Sequence, residues 1–131
     1  MGGLLQLPKK GNLCIITSSI KDVMVLRQHG FPAICFNGEA YGVNKNSTSG
    51  KFVSDTITIL KKRFKNVILF LDNDEPGIQA AVKLQQINSI PLMCLTVEKD
   101  ISDYQKKKGT HKTFRILKKM LSKKLRPHEL F

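Results

Sequence analysis

Four short apolar runs constrain the fold of this chain more than any other feature of its sequence. They span residues 13–17, 33–36, 67–71 and 92–95, and a polar segment follows each of them. None of the runs alternates apolar with polar residues. Strands buried on both faces have this pattern, which is typical of a parallel sheet covered by helices on each side. The sequence therefore predicts four buried parallel strands.

The segments between the runs have the spacing of helices. Residues 20–29 are followed by Gly30, a common helix stop, and residues 52–64 and 75–87 also carry helical apolar spacing. A basic amphipathic helix is predicted over residues 112–125. Strands and helices that alternate in this way imply right-handed crossovers. The predicted fold is α/β: a Rossmann-like four-stranded parallel sheet with helices on both faces and a basic C-terminal helix.

The length of 131 residues is that of one domain. Residues 1–12 are interpreted as a lead-in, residues 13–110 as the α/β domain, and residues 111–131 as the basic helix and tail. Two polar segments, 37–50 and 106–109, are predicted to be flexible.

Neither a membrane protein nor a secreted protein is indicated. No run approaches the ~20 apolar residues of a membrane helix, and the N-terminal residues lack the pattern of a signal peptide. The cysteines, Cys14, Cys35 and Cys94, are widely spaced and lie in apolar runs. We therefore expect buried thiols, with neither a disulfide framework nor a zinc site, in a cytoplasmic protein.

The formal net charge of +12 is unevenly distributed. Residues 104–131 contain ten basic residues and one acid, whereas residues 72–75 and 98–103 contain six acids. A basic body with concentrated carboxylates favours a polyanionic partner, such as nucleic acid, bound next to a cation site. A lysine-rich surface that only contacts solvent is the alternative interpretation.

Carboxylates follow the third and fourth predicted strands. Asp72 and Asp74 lie beyond the carboxyl end of a strand, where ligands bind in such sheets, and Asp100 lies beyond the next one. Neighbouring carboxylates repel each other, and a divalent cation removes the conflict. Mg²⁺, or Mn²⁺ in its place, suits one or two carboxylates with water and phosphate oxygens. A helix cap is the alternative role for Asp74, and it leaves Asp72 unexplained.

Two serines follow the first predicted strand. Ser18 or Ser19 is expected to cap the next helix, and free amides at that helix start could receive a phosphate. The Gly50-Lys51 pair does not belong to a phosphate loop, because the first glycine of that motif would fall at Lys45.

Three segments together resemble the Toprim domain that primases, topoisomerases and some nucleases share. The strongest is residues 67–77, an apolar strand followed by Asp-x-Asp, an acid and a glycine. Residues 99–104 are similar to an Asp-Pro-x-Asp-Tyr-like segment of primases. Residues 15–22 and 30–33 are similar to the Glu-Gly-x-x-Asp motif and the strand that follows it. The chain most resembles the catalytic core of phage-type and bacterial DNA primases, including primase-helicases.

This resemblance implies a metal-dependent nucleotidyltransferase that makes RNA primers on a DNA template. Asp72, Asp74 and Asp100 would hold Mg²⁺ or Mn²⁺, which would neutralise triphosphate charge and orient a 3′-hydroxyl. The implied partners are single-stranded DNA, nucleoside triphosphates and a replicative helicase.

The resemblance also implies catalytic residues near the first two strands. Asp22 keeps the residue type of the family motif, whereas the catalytic Glu of the family aligns with Ser18. Glu39, which follows the second predicted strand, is the expected substitute by position.

Basic side chains are expected to hold the backbone of the template. Those assigned to this role are Lys61, Lys62, Lys99, Lys107, Lys112 and Arg115.

Three other functions remain open at this stage. The replacement at Ser18 favours a Toprim module that binds nucleic acid without catalysis, and a Toprim nuclease would use the same carboxylates. Outside the family, a haloacid-dehalogenase-like phosphatase also places Asp-x-Asp after an apolar strand. In those phosphatases the motif normally follows the first strand and continues to Thr or Val, whereas here it follows the third predicted strand and is followed by Pro76. A topoisomerase is disfavoured because neither tyrosine has a supporting basic context.

Overall fold

The computed structural model describes residues 7–36 and 48–125. Within these ranges the chain forms three strands and five helices. The strands are β1 (Gly11–Thr17), β2 (Ala33–Cys35) and β3 (Phe64–Phe70), and the helices are α1 (Ile20–Gln28), α2 (Thr48–Arg63), α3 (Glu75–Asn88), α4 (Ile101–Lys108) and α5 (Thr110–Ser122).

The strands form one parallel sheet in the order β2-β1-β3. β1 is the central strand, and its residues from Leu13 to Thr17 are all buried. Thr17 pairs with Cys35 on one side and with Phe70 on the other. The three strands therefore end side by side, and the segments that follow β1 and β3 begin next to each other.

The prediction of a fourth strand is wrong. Residues 92–95 approach β3 but form a single parallel bridge, Leu69 with Leu92. Pro91 has no N–H with which to extend a ladder. Bends follow from Thr96 to Asp100, and the backbone oxygen of Lys99 accepts a hydrogen bond from the N–H of Asn73, just beyond β3. The expectation that Cys94 is buried is also wrong, because it lies on this marginal segment and is exposed, whereas Cys14 and Cys35 are buried.

Both faces of the sheet are covered by helices, as predicted. One core cluster packs α2 and α3 against the sheet through residues such as Ile57, Leu60 and Leu84. The second packs α1, α4 and α5 against the opposite face through residues such as Leu26 and Leu117. The apolar side of α5, which carries Leu117 and Leu121, therefore belongs to the core of the domain.

Several predicted boundaries shift. Lys106 to Lys108 form the last turn of α4, so this segment is helical where a flexible connection was predicted. Gly109, with φ of 88°, separates α4 from α5. Phe64 was expected to end a helix but begins β3, since it pairs with Gly11 at the start of the sheet. None of the helices in the described ranges is long and apolar enough to span a membrane.

Candidate metal centre

Three carboxylates from distant parts of the sequence meet at the carboxyl end of the sheet. Asp22, Asp72 and Asp100 each offer an oxygen atom, and these oxygens lie within 4.8 Å of one another. Asp22 comes from α1, Asp72 from the segment after β3, and Asp100 from the residue that precedes α4. All the donors are carboxylate oxygens, the atoms that Mg²⁺ and other hard divalent cations prefer.

Asp22 is held rigidly in the first turn of α1. Ser19 caps this helix: its Oγ accepts a hydrogen bond from the backbone N–H of Asp22 at 3.4 Å and donates to Asp22 Oδ2 at 3.1 Å. The backbone N–H and the Oγ of Ser102 donate to Asp22 Oδ1 at 3.2 and 2.7 Å. Asp22 is only 1% exposed, so these contacts fix a carboxylate that water barely reaches.

Asp72 is positioned through its backbone. Its N–H donates to Ser18 Oγ at 2.8 Å, which joins the ends of β1 and β3. Its side-chain atom Oδ1 is buried and has no hydrogen-bond partner among the described residues. A buried polar atom without a partner is costly, and a cation held by the three carboxylates would satisfy it.

Asp74 stands apart from the group of three in the described part of the chain. It caps α3, since Oδ1 accepts from the N–H of Gly77 at 2.8 Å. The helix-cap interpretation of Asp74 is thus confirmed. Asp100 likewise caps α4, since its Oδ1 accepts a hydrogen bond from the N–H of Asp103 at 2.8 Å.

Gly77 permits the close approach of α3 to the carboxylates. A Cβ built on this residue would lie 2.2 Å from the backbone oxygen of Asp72 and 2.9 Å from Asp74 Oδ1. Side chains essentially never approach backbone atoms so closely, so only glycine fits this position.

The carboxylates destabilise one another when all are ionised. Burial first, and then the charge of Asp100, raises the pKa of Asp22, and the hydrogen bonds from Ser102 and Ser19 lower it only in part. Burial first, and then the charge of Asp22, raises the pKa of Asp72. Lys99 Nζ lies 3.9 Å from Asp72 Oδ2 and 3.6 Å from Asp74 Oδ2, and these charges raise the pKa of Lys99. The ammonium group is exposed, so it offsets the negative charge only weakly.

Asp22→Asn is expected to stabilise the metal-free protein at neutral pH. Because folding raises the pKa of Asp22 above its ordinary value of 3.8, the folded state binds the proton more tightly than the unfolded state. The contribution of Asp22 to the free energy of unfolding therefore falls as the pH rises from about 3.8 through the folded pKa. The asparagine side chain does not ionise, so the variant avoids this loss of stability. Urea unfolding in EDTA at several pH values measures the difference.

The matched control is Asp55→Asn, since Asp55 is an exposed carboxylate on α2. The gain from Asp22→Asn should shrink at acidic pH, and the control should show no comparable trend. A variant that is less stable than the wild type at neutral pH without metal would mean that the charge of Asp22 is well compensated.

The basic residues assigned to the template are spread over the molecule. Lys99 is the one that forms an ion pair with Asp72 and Asp74, and Lys107 pairs with Glu98 at 3.0 Å. Lys61, which donates to the backbone oxygen of Asn88, and Lys62 end α2 at the opposite edge of the sheet. Lys112 and Arg115 are exposed on α5. Glu39 lies outside the described residues.

Sequence reasoning missed two supports of the site. Ser102 donates two hydrogen bonds to Asp22 from 80 positions away, and Ser18 fixes Asp72 across the sheet. Ser18 follows a predicted strand directly, so its place at the sheet edge could have been expected. No local signal pairs Ser102 with Asp22, because the contact depends on how α4 docks against α1.

The comparisons with known proteins agree with this architecture. A model of a family described as Toprim-like matches residues 15–108. The primase fragment of the bacteriophage T7 primase-helicase is similar in structure, with a TM-score of 0.58 at 16% identity over 83% of this chain and 44% of that one. No curated protein matches the chain.

A second solved structure from bacteriophage T7 is also similar. It contains the lagging-strand DNA polymerase interacting with primase domains bound to an RNA/DNA hybrid and dTTP. The TM-score is 0.61 at 16% identity, over 87% of this chain and 56% of that one. At this identity the likeness shows the fold, and the chain spans about half the length of the solved structures that it matches.

Proposed function

The chain belongs to the Toprim-like family, and we propose that it supports metal-dependent synthesis of RNA primers on single-stranded DNA. The observation that carries this proposal is the group formed by Asp22, Asp72 and Asp100, in which a buried carboxylate oxygen of Asp72 has no hydrogen-bond partner within residues 7–36 and 48–125. A structural ion-pair network would place cations inside such a group. Here the nearby cation, Lys99, is exposed and reaches only the outer side of Asp72.

The donor set fits Mg²⁺, with Mn²⁺ as a substitute. Asp22, Asp72 and Asp100 would hold the ion, whose charge would offset the burial and mutual repulsion that raise the pKa of Asp22 and the pKa of Asp72. When bound, the ion would neutralise phosphate charge and lower the barrier to in-line attack by a hydroxyl group.

The protein supplies rigidity around these carboxylates. Ser19 and Ser102 orient Asp22, while Ser18 fixes the backbone of Asp72. Catalytic groups must be held close to their working geometry, and hydrogen-bonded supports of this kind achieve it. The exposed ammonium of Lys99 lies beside the carboxylates, where it could contact a nucleotide phosphate.

Ser18 favours the second candidate, a Toprim module that binds nucleic acid without catalysis. Its hydroxyl accepts a hydrogen bond from the backbone of Asp72, so this position serves the architecture of the site and offers no acid or base.

We propose that Glu39 supplies the missing carboxylate in the active protein. Glu39→Gln should then abolish primer synthesis while leaving the affinity for DNA unchanged.

A primer-synthesis assay separates these possibilities. Wild-type protein is incubated with single-stranded DNA, labelled nucleoside triphosphates and either Mg²⁺ or Mn²⁺, and the RNA products are resolved on a gel. Short metal-dependent products are expected. Intact binding without products would support the non-catalytic module, and shortening of the template would support a Toprim nuclease.

The proposed partners follow from the relatives. The first solved structure that resembles the chain is part of a primase-helicase, so we propose a replicative helicase as the protein partner, in the cytoplasm. Single-stranded DNA and nucleoside triphosphates are the proposed substrates. The test is whether a helicase co-purifies with the tagged protein. An excess of untagged protein should then compete for the helicase and reduce the amount that co-purifies.

A further inference from the structure

The charges of the domain are separated along the strand direction. The carboxylates of Asp22, Asp72 and Asp100 gather at the carboxyl edge of the sheet, whereas the charged side chains that line a cleft at the opposite edge are all basic among the described residues. Residues 7–12 and 61–66 contain no acid. Their six basic residues, which we call the amino-edge patch, are Lys9, Lys10, Lys61, Lys62, Arg63 and Lys65.

Three separate elements bring the patch together. Gly11, at the start of β1, pairs with Phe64, at the start of β3, and α2 ends at the intervening Arg63. Arg63 ties the lead-in to this junction by donating to the backbone oxygens of Pro8 and Lys9 at 2.5 and 2.9 Å. The surface between these elements is a shallow cleft of about 400 Å³.

Helix stability explains only part of the patch. Basic side chains in the last turn complement the dipole of α2, which accounts for residues 61–63. It does not account for Lys9, Lys10 and Lys65, which lie outside the helix and are exposed. None of these three forms an ion pair within the described ranges, where the salt bridges involve Lys99 and Lys107.

The surroundings of the patch select the class of partner. A protein interface usually has an apolar or aromatic centre, and none of the exposed large apolar side chains of the described chain falls in residues 7–12 or 61–66. Phe64, the aromatic residue of the cleft, is 2% exposed and cannot stack on a base. Lysines without apolar neighbours suit phosphate groups, which are bound without reading sequence.

We propose that the amino-edge patch is a second DNA-binding surface, which holds the phosphodiester backbone away from the carboxylates. β1 is seven residues long, so the two edges of the sheet are separated by roughly 20 Å. One nucleotide cannot contact both edges. The patch therefore binds either a distant part of the same strand or another strand, and this binding does not depend on the proposed primer synthesis.

The test uses a triple variant, Lys9→Gln/Lys10→Gln/Lys65→Gln, which leaves the backbone contacts of Lys61 and Arg63 in place. Fluorescence anisotropy with labelled oligo(dT) and with duplex DNA is measured in EDTA over a range of salt concentrations. The variant should bind at least about tenfold more weakly than the wild type. The slope of log affinity against log salt should fall by about two for oligo(dT), since three phosphate contacts are lost.

The control variant, Lys51→Gln/Lys83→Gln/Lys108→Gln, removes the same charge from exposed positions elsewhere. Equal losses in the two triple variants would overturn the proposal, since net charge alone would then explain binding. Unchanged DNA binding by the amino-edge variant would also overturn the proposal. If this variant instead lost only its binding to polyglutamate, the partner would be an acidic protein and the proposal would again be wrong. Changes in the amide chemical shifts of Gly11 and Lys65 during a titration with oligo(dT) would support the proposal. The same changes are expected in Asp72→Asn, in which primer synthesis should fail, because DNA binding at the patch does not depend on that activity.

Discussion

Asp72→Asn is expected to weaken the binding of Mn²⁺ by more than about 100-fold and to abolish metal-dependent activity. The substitution removes the charge of the carboxylate whose buried Oδ1 has no hydrogen-bond partner in the described part of the chain, at the proposed site. Losing a residue that only supports a ligand already costs about 10–100-fold in metal affinity, so losing a ligand should cost more. Paramagnetic broadening of amide signals during an Mn²⁺ titration measures the effect residue by residue.

Two controls give this experiment its meaning. Asp55→Asn removes an exposed carboxylate from α2 and should leave the broadening around Asp22 and Asp100 unchanged. Asp74→Asn should have a smaller effect than Asp72→Asn, because Asp74 caps α3 and lies outside the group of three. Equal effects of the two variants would move the centre of the site toward the Asp72–Asp74 pair. Wild-type binding by Asp72→Asn would refute the proposed site.

Gly77→Ala is expected to destabilise the domain by about 3 kcal/mol or more, at the upper end of the cost of overpacking. The added Cβ would lie 2.2 Å from the backbone oxygen of Asp72, which no rotamer change can relieve. Either α3 or the segment after β3 must move. Urea unfolding without metal measures the loss of stability, and an Mn²⁺ titration measures how far the carboxylates are displaced.

Gly11→Ala is the matched control. Its Cβ would meet two ring atoms of Phe64 at 3.3 Å, a tight contact that a small shift of a side chain can relieve. We expect a loss well below that of Gly77→Ala. If the two variants unfold at the same urea concentration, the close packing of α3 on Asp72 is not a significant constraint.

The apolar runs predicted most of the sheet, and the failure at residues 92–95 has a local cause. β1 and β3 are buried on both faces, so their hydrophobicity reported their position directly. Residues 92–95 are as apolar, yet only the bridge between Leu69 and Leu92 forms. Composition shows that a segment suits a strand, but the number of ladder bonds depends on the path that the neighbouring loops permit.

The site was partly predictable because parallel strands end together. Asp72 and Asp100 follow apolar runs, and Asp22 lies one turn into the helix after β1, so topology brings them to one edge. For Asp74 the sequence allowed both a helix cap and a metal ligand, and it could not decide between the two roles. Both residues lie after β3, and the structure shows that Asp74 caps α3 by accepting from the N–H of Gly77. The contact between Ser102 and Asp22 likewise depends on tertiary packing alone.

The contact between Asp22 and Ser102 joins parts of the chain that are 80 residues apart, at the same place where the carboxylates converge. The site therefore exists only after nearly the whole domain has closed, and a partly folded chain has no complete set of ligands. A cation that binds there would stabilise the folded state, adding about 2.7 kcal/mol to the free energy of unfolding at a cation concentration 100 times its dissociation constant. If the proposed site binds Mg²⁺, the bound ion would also keep α4 docked on α1, so that local opening and cleavage by a protease should become rarer as the Mg²⁺ concentration rises.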